Sequence, residues 1–141
     1  MLTALAGGTE GNLQGTSQGE SDGFVRKYDH DGKVLWTRQF GTPEWDAVLG
    51  VALDAGGVYL AGHTRGGLQG TNQGGFDGFV RKYGHDGKLL WTRQFGTPEG
   101  EFVRGVAVDA TGVYAAGYTE GSLQGINQGS YDGFVRKYGT G

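Results

Sequence analysis

Asp22-Gly23-Phe24-Val25-Arg26-Lys27-Tyr28 recurs as Asp77–Tyr83 and again as Asp132–Tyr138, a spacing of 55 residues each time (77 − 22 and 132 − 77). Lys33-Val34-Leu35-Trp36-Thr37-Arg38-Gln39-Phe40-Gly41-Thr42-Pro43-Glu44 recurs as Lys88–Glu99 with one change, Val34 to Leu89. Leu13-Gln14-Gly15 returns at Leu68 and at Leu123. A period of this size marks a repeat architecture, in which each unit buries its apolar surface against its neighbours. The constraint falls on architecture and leaves the biochemical role open.

Within the middle repeat the apolar residues alternate with period 2 and are broken by turn signals. Val48–Leu53 is a short apolar run ending at the turn Asp54-Ala55-Gly56-Gly57, and Val58–Gly62 is its partner. A long Gly/Gln segment, 64–75, leads to Phe79–Tyr83. Gly84-His85-Asp86-Gly87 then turns the chain into Leu89–Phe95. Helical periodicity is absent, and the β-branched and aromatic residues suit a pleated surface buried on two sides. The 31 glycines fall at fixed repeat positions beside only 2 prolines, a pattern that punctuates turns and does not signal disorder. The chain is therefore expected to be all-β.

Four antiparallel strands per unit, here lettered A to D, is the organisation of a β-propeller blade. Stacking blades buries both faces of each sheet, which accounts for Leu89, Trp91 and Phe95 on one face being matched by Leu90 on the other. The expected division is residues 1–41 as B-C-D of a partial blade, 42–96 as a complete A-B-C-D blade, and 97–141 as A-B-C of another. That gives about two and a half repeats and ten strands.

The stretches "DGFVRKYDHDGKVLW" and "GVAVDATGVYAAGYT" resemble the bacterial β-propeller repeat called SBBP. The resemblance covers nearly the whole chain and keeps the order of motifs. It implies a blade fold in a secreted or cell-surface protein, and little about activity. Asp31–Trp36 is also similar to the tryptophan-docking repeat of quinoprotein propellers, with a shorter turn and no quinone- or metal-ligating residues in place.

A part-integral number of blades leaves apolar faces uncovered at both ends, and three blades cannot close a ring alone. The expected partner is a second copy of the chain, since each face already complements the next, and head-to-tail contacts close into rings. The alternative is a piece of a longer or engineered repeat array. Net charge is −3 with lysines and arginines dispersed, so no nucleic-acid surface is expected. No apolar run reaches membrane-spanning length, and Ala4-Leu5-Ala6, which mimics a signal-cleavage site, lacks a basic segment and long apolar core before it. Cysteine is absent, which excludes thiolate chemistry and disulfides.

Chemistry-bearing patterns are sparse. There is no Ser-His-Asp arrangement on a nucleophile elbow and no phosphate-binding Gly-rich loop with its lysine. His30, His63 and His85 stand at no metal-ligand spacing. Asp29-His30-Asp31-Gly32 begins like a calcium loop but stops at the glycine, so a tight turn is expected. Asp22, Asp77 and Asp132 are expected to accept backbone N–H bonds at the entry to strand C. Arg26-Lys27 and their copies read as ion-paired or solvated. Trp36 and Trp91, identically placed, read as packing between blades.

Trp45 replaces Gly100 of the next repeat while Ala47 replaces Phe102. It is expected to fill the same pocket from two positions away, the alternative being an exposed binding aromatic. The binding hypothesis rests on the B–C segments, whose amides Gln14, Gln18, Gln69, Asn72, Gln73, Gln124, Asn127 and Gln128, with Trp45, are the candidate ligand residues. Two functions follow. The first is a non-enzymatic repeat scaffold or interaction module, without cofactor or metal, that self-assembles into a ring. The second is a multivalent lectin binding glycans through these loops, with avidity offsetting weak single sites. The alternative reading of the amides is that they bond the loop backbone.

Overall fold

The computed structural model describes residues 3–141; Met1 and Leu2, at the head of the 1–41 segment, lie outside the described residues. Ten strands follow in order: β1 (Thr3–Thr9), β2 (Asp22–Tyr28), β3 (Val34–Phe40), β4 (Asp46–Asp54), β5 (Gly57–Thr64), β6 (Asp77–Tyr83), β7 (Leu89–Phe95), β8 (Glu101–Asp109), β9 (Gly112–Thr119) and β10 (Asp132–Tyr138). No helix occurs among the described residues, and the protein is all-β. The strands form three antiparallel sheets in the orders β1-β2-β3, β4-β5-β6-β7 and β10-β9-β8. The register repeats with them: Lys27 pairs with Trp36, and Lys82 with Trp91.

The turns are built as their residues dictate. Asp29 Oδ1 accepts the N–H groups of Asp31 and Lys33, and Gly32 closes the turn at φ +84°, where a side chain would be strained. Gly87 does the same at φ +87°. The β4–β5 turn is held by Asp54 Oδ1, which accepts from Gly56 and Gly57.

Two apolar cores separate the three sheets. Val25 and Phe40 meet Val48, Val58, Leu60, Phe79 and Tyr83 in the first. Tyr59, Ala61, Val80 and Phe95 meet Val103, Val113 and Ala115 in the second. The middle sheet therefore has a core on both faces, whereas the flanking sheets have one each. Strand β6 is buried at every residue, and its copy β10 alternates half-buried and exposed. Val80 is 0% exposed and Val135, at the same place one repeat later, is 70% exposed.

Two expectations need correction. Leu89 and Leu90 were expected to be buried on opposite faces, but both are close to half exposed; they open the edge strand β7, and neither belongs to either core, whereas Phe95 at the other end of β7 lies in the second. Arg26-Lys27 and their copies were expected to be ion-paired or solvated; Lys137 is exposed, yet Lys27 is 3% and Lys82 7% exposed, with no carboxylate partner among the described residues. Their charge is met by carbonyls and rings. Arg81 donates to Thr92 Oγ1 and lies 4.2 Å from the Phe40 ring centroid. Such cation–ring contacts are worth about 0.5–2 kcal/mol.

Each joint between sheets has the same polar clasp. Lys27 Nζ and Trp36 Nε1 of the first sheet donate to the His85 carbonyl in the β6–β7 turn, at 2.8 and 2.9 Å. Lys82 Nζ and Trp91 Nε1 of the middle sheet donate to the Thr140 carbonyl. Both tryptophans are thus packing residues: Trp36 lies against Tyr83, and Trp91 against Tyr59 and Tyr138.

Candidate functional site: the amide loops and their carboxylates

The segments joining β1 to β2, β5 to β6 and β9 to β10 carry the candidate amides. In the first, Gln14 and Gln39 grip each other. Gln39 Oε1 accepts the N–H groups of Leu13 and Gln14, and Gln14 Oε1 accepts the N–H of Gln39. The Gln39 amide nitrogen donates to the Gly11 carbonyl and to Asp22 Oδ2, both at 2.9 Å. The second loop repeats this with Gln69 and Gln94, whose amide nitrogen reaches the Gly66 carbonyl and Asp77 Oδ2 at 3.0 Å each.

Asp22, Asp77 and Asp132 accept the N–H of Gln18, Gln73 and Gln128, each at 2.8 Å, as expected for residues that anchor the entry to the strand. The side chains of those glutamines donate to the carbonyls of Thr16, Thr71 and Ile126. Asn72 donates to Thr64 and Gly66 carbonyls, and Asn127 to the Gly121 carbonyl. These amides bond the loop backbone. In the third loop Gln124 is exposed, beside a cleft of about 280 Å³ that also involves Leu123, Asn127, Asp132, Phe134 and Val135.

Beneath the loops lie paired acids. Asp22 and Asp46 are fully buried, as are Asp77 and Glu101. Asp46 accepts from Thr42 N–H at 2.7 Å and from the hydroxyls of Thr42 and Thr64. Glu101 accepts from Thr97 N–H at 2.8 Å and from the hydroxyls of Thr97 and Thr119. Burial pushes the pKa of Asp46 and Glu101 up against these bonds, and the neighbouring Asp22 and Asp77 add to the rise. Burial likewise raises Asp77. Carboxyls sealed at this depth tie strands together and present no atom to a substrate.

Trp45 does not fill the pocket occupied by Phe102. It is 39% exposed, just ahead of β4, bridged through its backbone to Ser21, with its carbonyl accepting from Arg65. With more than a third of its surface exposed and no aromatic partner among the described residues, it fits the exposed alternative better.

An aromatic cluster at the second joint was not singled out from the sequence. His63 lies 5.0 Å from Phe76 and 5.3 Å from Phe102 between ring centroids. Phe102 stacks on Tyr118, and Tyr118 meets Tyr131 edge-on. Arg65 covers Phe76 and Arg104 covers Tyr118. The signal was present where the repeats differ: His63 and Tyr118 align with Gly8, and Phe76 and Tyr131 with Ser21. Burial holds the His63 imidazole down at about 4, a Val103 backbone bond opposing and Arg104 adding.

No family model matches the chain. In an alignment 106 residues long that covers 69% of the chain, the sequence is 31% identical to the Regulatory protein FlaEY of Caulobacter vibrioides. The chain spans 11% of that protein's length, so the similarity concerns one segment of a much larger molecule.

Proposed function

We propose that the chain is a non-enzymatic assembly module, a run of propeller blades whose end sheets join those of other copies head to tail into a closed ring. One observation carries this: the lysine–carbonyl clasp is made at both joints within the chain, and its two halves are presented again at the two ends. His30, His85 and Thr140 occupy the same place in successive repeats, as do Lys27, Lys82 and Lys137. Lys137 is exposed on the outward face of β10 with Val135, and the turn bearing His30 is exposed on the first sheet. A second copy would bring that turn to Lys137 and cover Val135 as Val80 is covered. Such contacts are heterologous and close if the rotation permits. Two or three copies of three sheets would supply six or nine blades.

Light scattering tests it. Wild type should run as a discrete oligomer of the 14.9 kDa chain, and Val135→Glu with Lys137→Glu should run as a monomer. A monodisperse wild-type monomer at about 50 µM, well above the Kd of a specific interface, overturns it. The glycan-binding alternative keeps two footholds, Gln124 and the exposed Trp45, because Gln14 and Gln69 are held by Gln39 and Gln94.

A further inference from the structure

We propose that each joint between sheets holds one shared proton, bound by Asp22 with Asp46 at the first joint and by Asp77 with Glu101 at the second. The sheets therefore dock with proton uptake, and alkali loosens them. Both joints lie inside the chain, so the inference stands whether or not copies form rings.

The two acids of each pair come from different sheets. Asp22 opens β2 and Asp46 opens β4, while Asp77 opens β6 and Glu101 opens β8. All four are 0% exposed. Each pair converges over a glycine. A Cβ on Gly41 would collide with Asp22 Oδ1 and lie 2.9 Å from Asp46 Oδ2, and one on Gly96 would collide with Asp77 Oδ1 and lie 3.0 Å from Glu101 Oε1. Glu101 is one methylene longer than Asp46, yet it brings its oxygen to the same place.

Counting donors shows what the pairs lack. Asp22 Oδ2 and Asp77 Oδ2 each accept a loop N–H and a glutamine amide, whereas Oδ1 of both is buried and accepts nothing. Across the pair, Glu101 Oε1 accepts the Thr97 N–H alone, which leaves a lone pair to carry a hydrogen. Asp46 Oδ2 is held likewise by the Thr42 N–H, with a longer hydroxyl contact at 3.2 Å.

No cation offsets the charge. Among the described residues the one ion pair is His30 with Asp31. His63, next to Thr64 on β5, faces Phe76 and Phe102 on the other side of the sheet. Glu20, Glu44, Arg65, Glu99 and Glu120 are exposed in the surrounding loops. Two carboxylates meeting at one buried point do not both stay ionised. A proton on Asp46 or Glu101, donated to the orphaned oxygen opposite, supplies the missing hydrogen and removes one of the two charges. Because each pair forms only across a joint, the proton is taken up when the sheets meet.

The test compares the whole chain with its Asp22→Asn, Asp77→Asn double variant, in which an amide N–H supplies the missing hydrogen without titrating. Infrared spectra in D2O at about pH 6, above the ordinary carboxyl range, should show a protonated buried carboxyl in wild type and none in the variant. A proton held above the ordinary range stabilises the fold below that range, and the contribution is lost as the pH rises through the folded value. In urea unfolding from about pH 5 to pH 9, the wild-type folding constant should fall, relative to the variant, by about tenfold per pH unit per pair across the titration. His63 is common to both proteins and cancels. Should the variant fail to fold, the wild-type band still decides. Absence of that band, or parallel pH dependence of the two proteins, overturns the inference. So does a stability gain from millimolar calcium chloride that EDTA reverses, since a cation would then stand where the proton is assigned.

Discussion

Gln94 Nε2 lies 3.0 Å from Asp77 Oδ2, so one amide joins the last strand of the middle sheet to the first residue of the strand beside it. The same amide reaches the Gly66 carbonyl, and its oxygen takes the Gln69 N–H. Gln94→Ala therefore removes several bonds at once and leaves a buried carboxylate with one donor fewer. The expected loss is about 2–3 kcal/mol in urea unfolding. Gln124→Ala, at an exposed side chain, should cost less than about 0.5 kcal/mol. Similar losses for the two would mean that the grip contributes nothing to stability.

Trp91→Ala should be far more damaging than Trp45→Ala. The Trp91 ring packs against Tyr59 and Tyr138 across the second core and its N–H reaches the Thr140 carbonyl, so truncation should cost about 3–5 kcal/mol. Trp45 is at the rim, and its removal should cost about 1 kcal/mol or less. Chemical denaturation of both variants measures the difference.

Gly78 and Gly133 occupy the same place in successive repeats but meet different surroundings. A methyl on Gly78 would overlap the Phe95 ring and approach Val103 Cγ2 at 2.9 Å, whereas on Gly133 the nearest atom is 4.0 Å away. Gly78→Ala should destabilise by about 1–3 kcal/mol, the usual cost of overpacking a core. Gly133→Ala should be nearly silent, and thermal unfolding of the pair decides it.

Acid should weaken the fold through His63. Its imidazole is held near 4 when folded, below the ordinary value of 6.5, so between those limits the unfolded chain binds the extra proton. Stability contributed by this residue is present above about pH 6.5 and is lost as the pH falls towards 4. The loss from pH 7 to pH 5 is on the order of 2 kcal/mol. Asp46, Asp77 and Glu101, whose pKa values are raised, act in the opposite sense, favouring the folded state as they protonate. Comparing urea midpoints of wild type with His63→Phe, which keeps those acids, isolates the histidine. An unchanged gap between the two proteins at pH 7 and pH 5 would exclude the effect.

The ten strands, their order and their turns were legible because period-2 patterning and turn residues act locally. Asp22 and Asp77 were readable as anchors for the same reason. Burial of Lys27 and Lys82 was not, because their carbonyl partners lie 58 residues away on a neighbouring sheet. Nor was the use of Gln14 and Gln69, whose partners lie 25 residues on in another strand. A polar loop looks available for a ligand until the far strand that occupies its amides is placed. The exposure of Leu89 and Leu90 was not legible either, because it depends on how far the neighbouring sheets cover β7.

Identical joints are interchangeable, and that carries a folding hazard. Nothing in the clasp itself distinguishes the first sheet from the second as the neighbour of the third, so mispaired intermediates would be almost degenerate with the native order. The rings of His63, Phe76, Phe102, Tyr118 and Tyr131 lift that degeneracy. Were the first sheet to dock on the third, Gly8 and Ser21 would stand where His63 and Phe76 meet Phe102, and the aromatic stack would face a gap. The one place where the repeats diverge most thus acts as a proofreading mark on the order in which the sheets assemble.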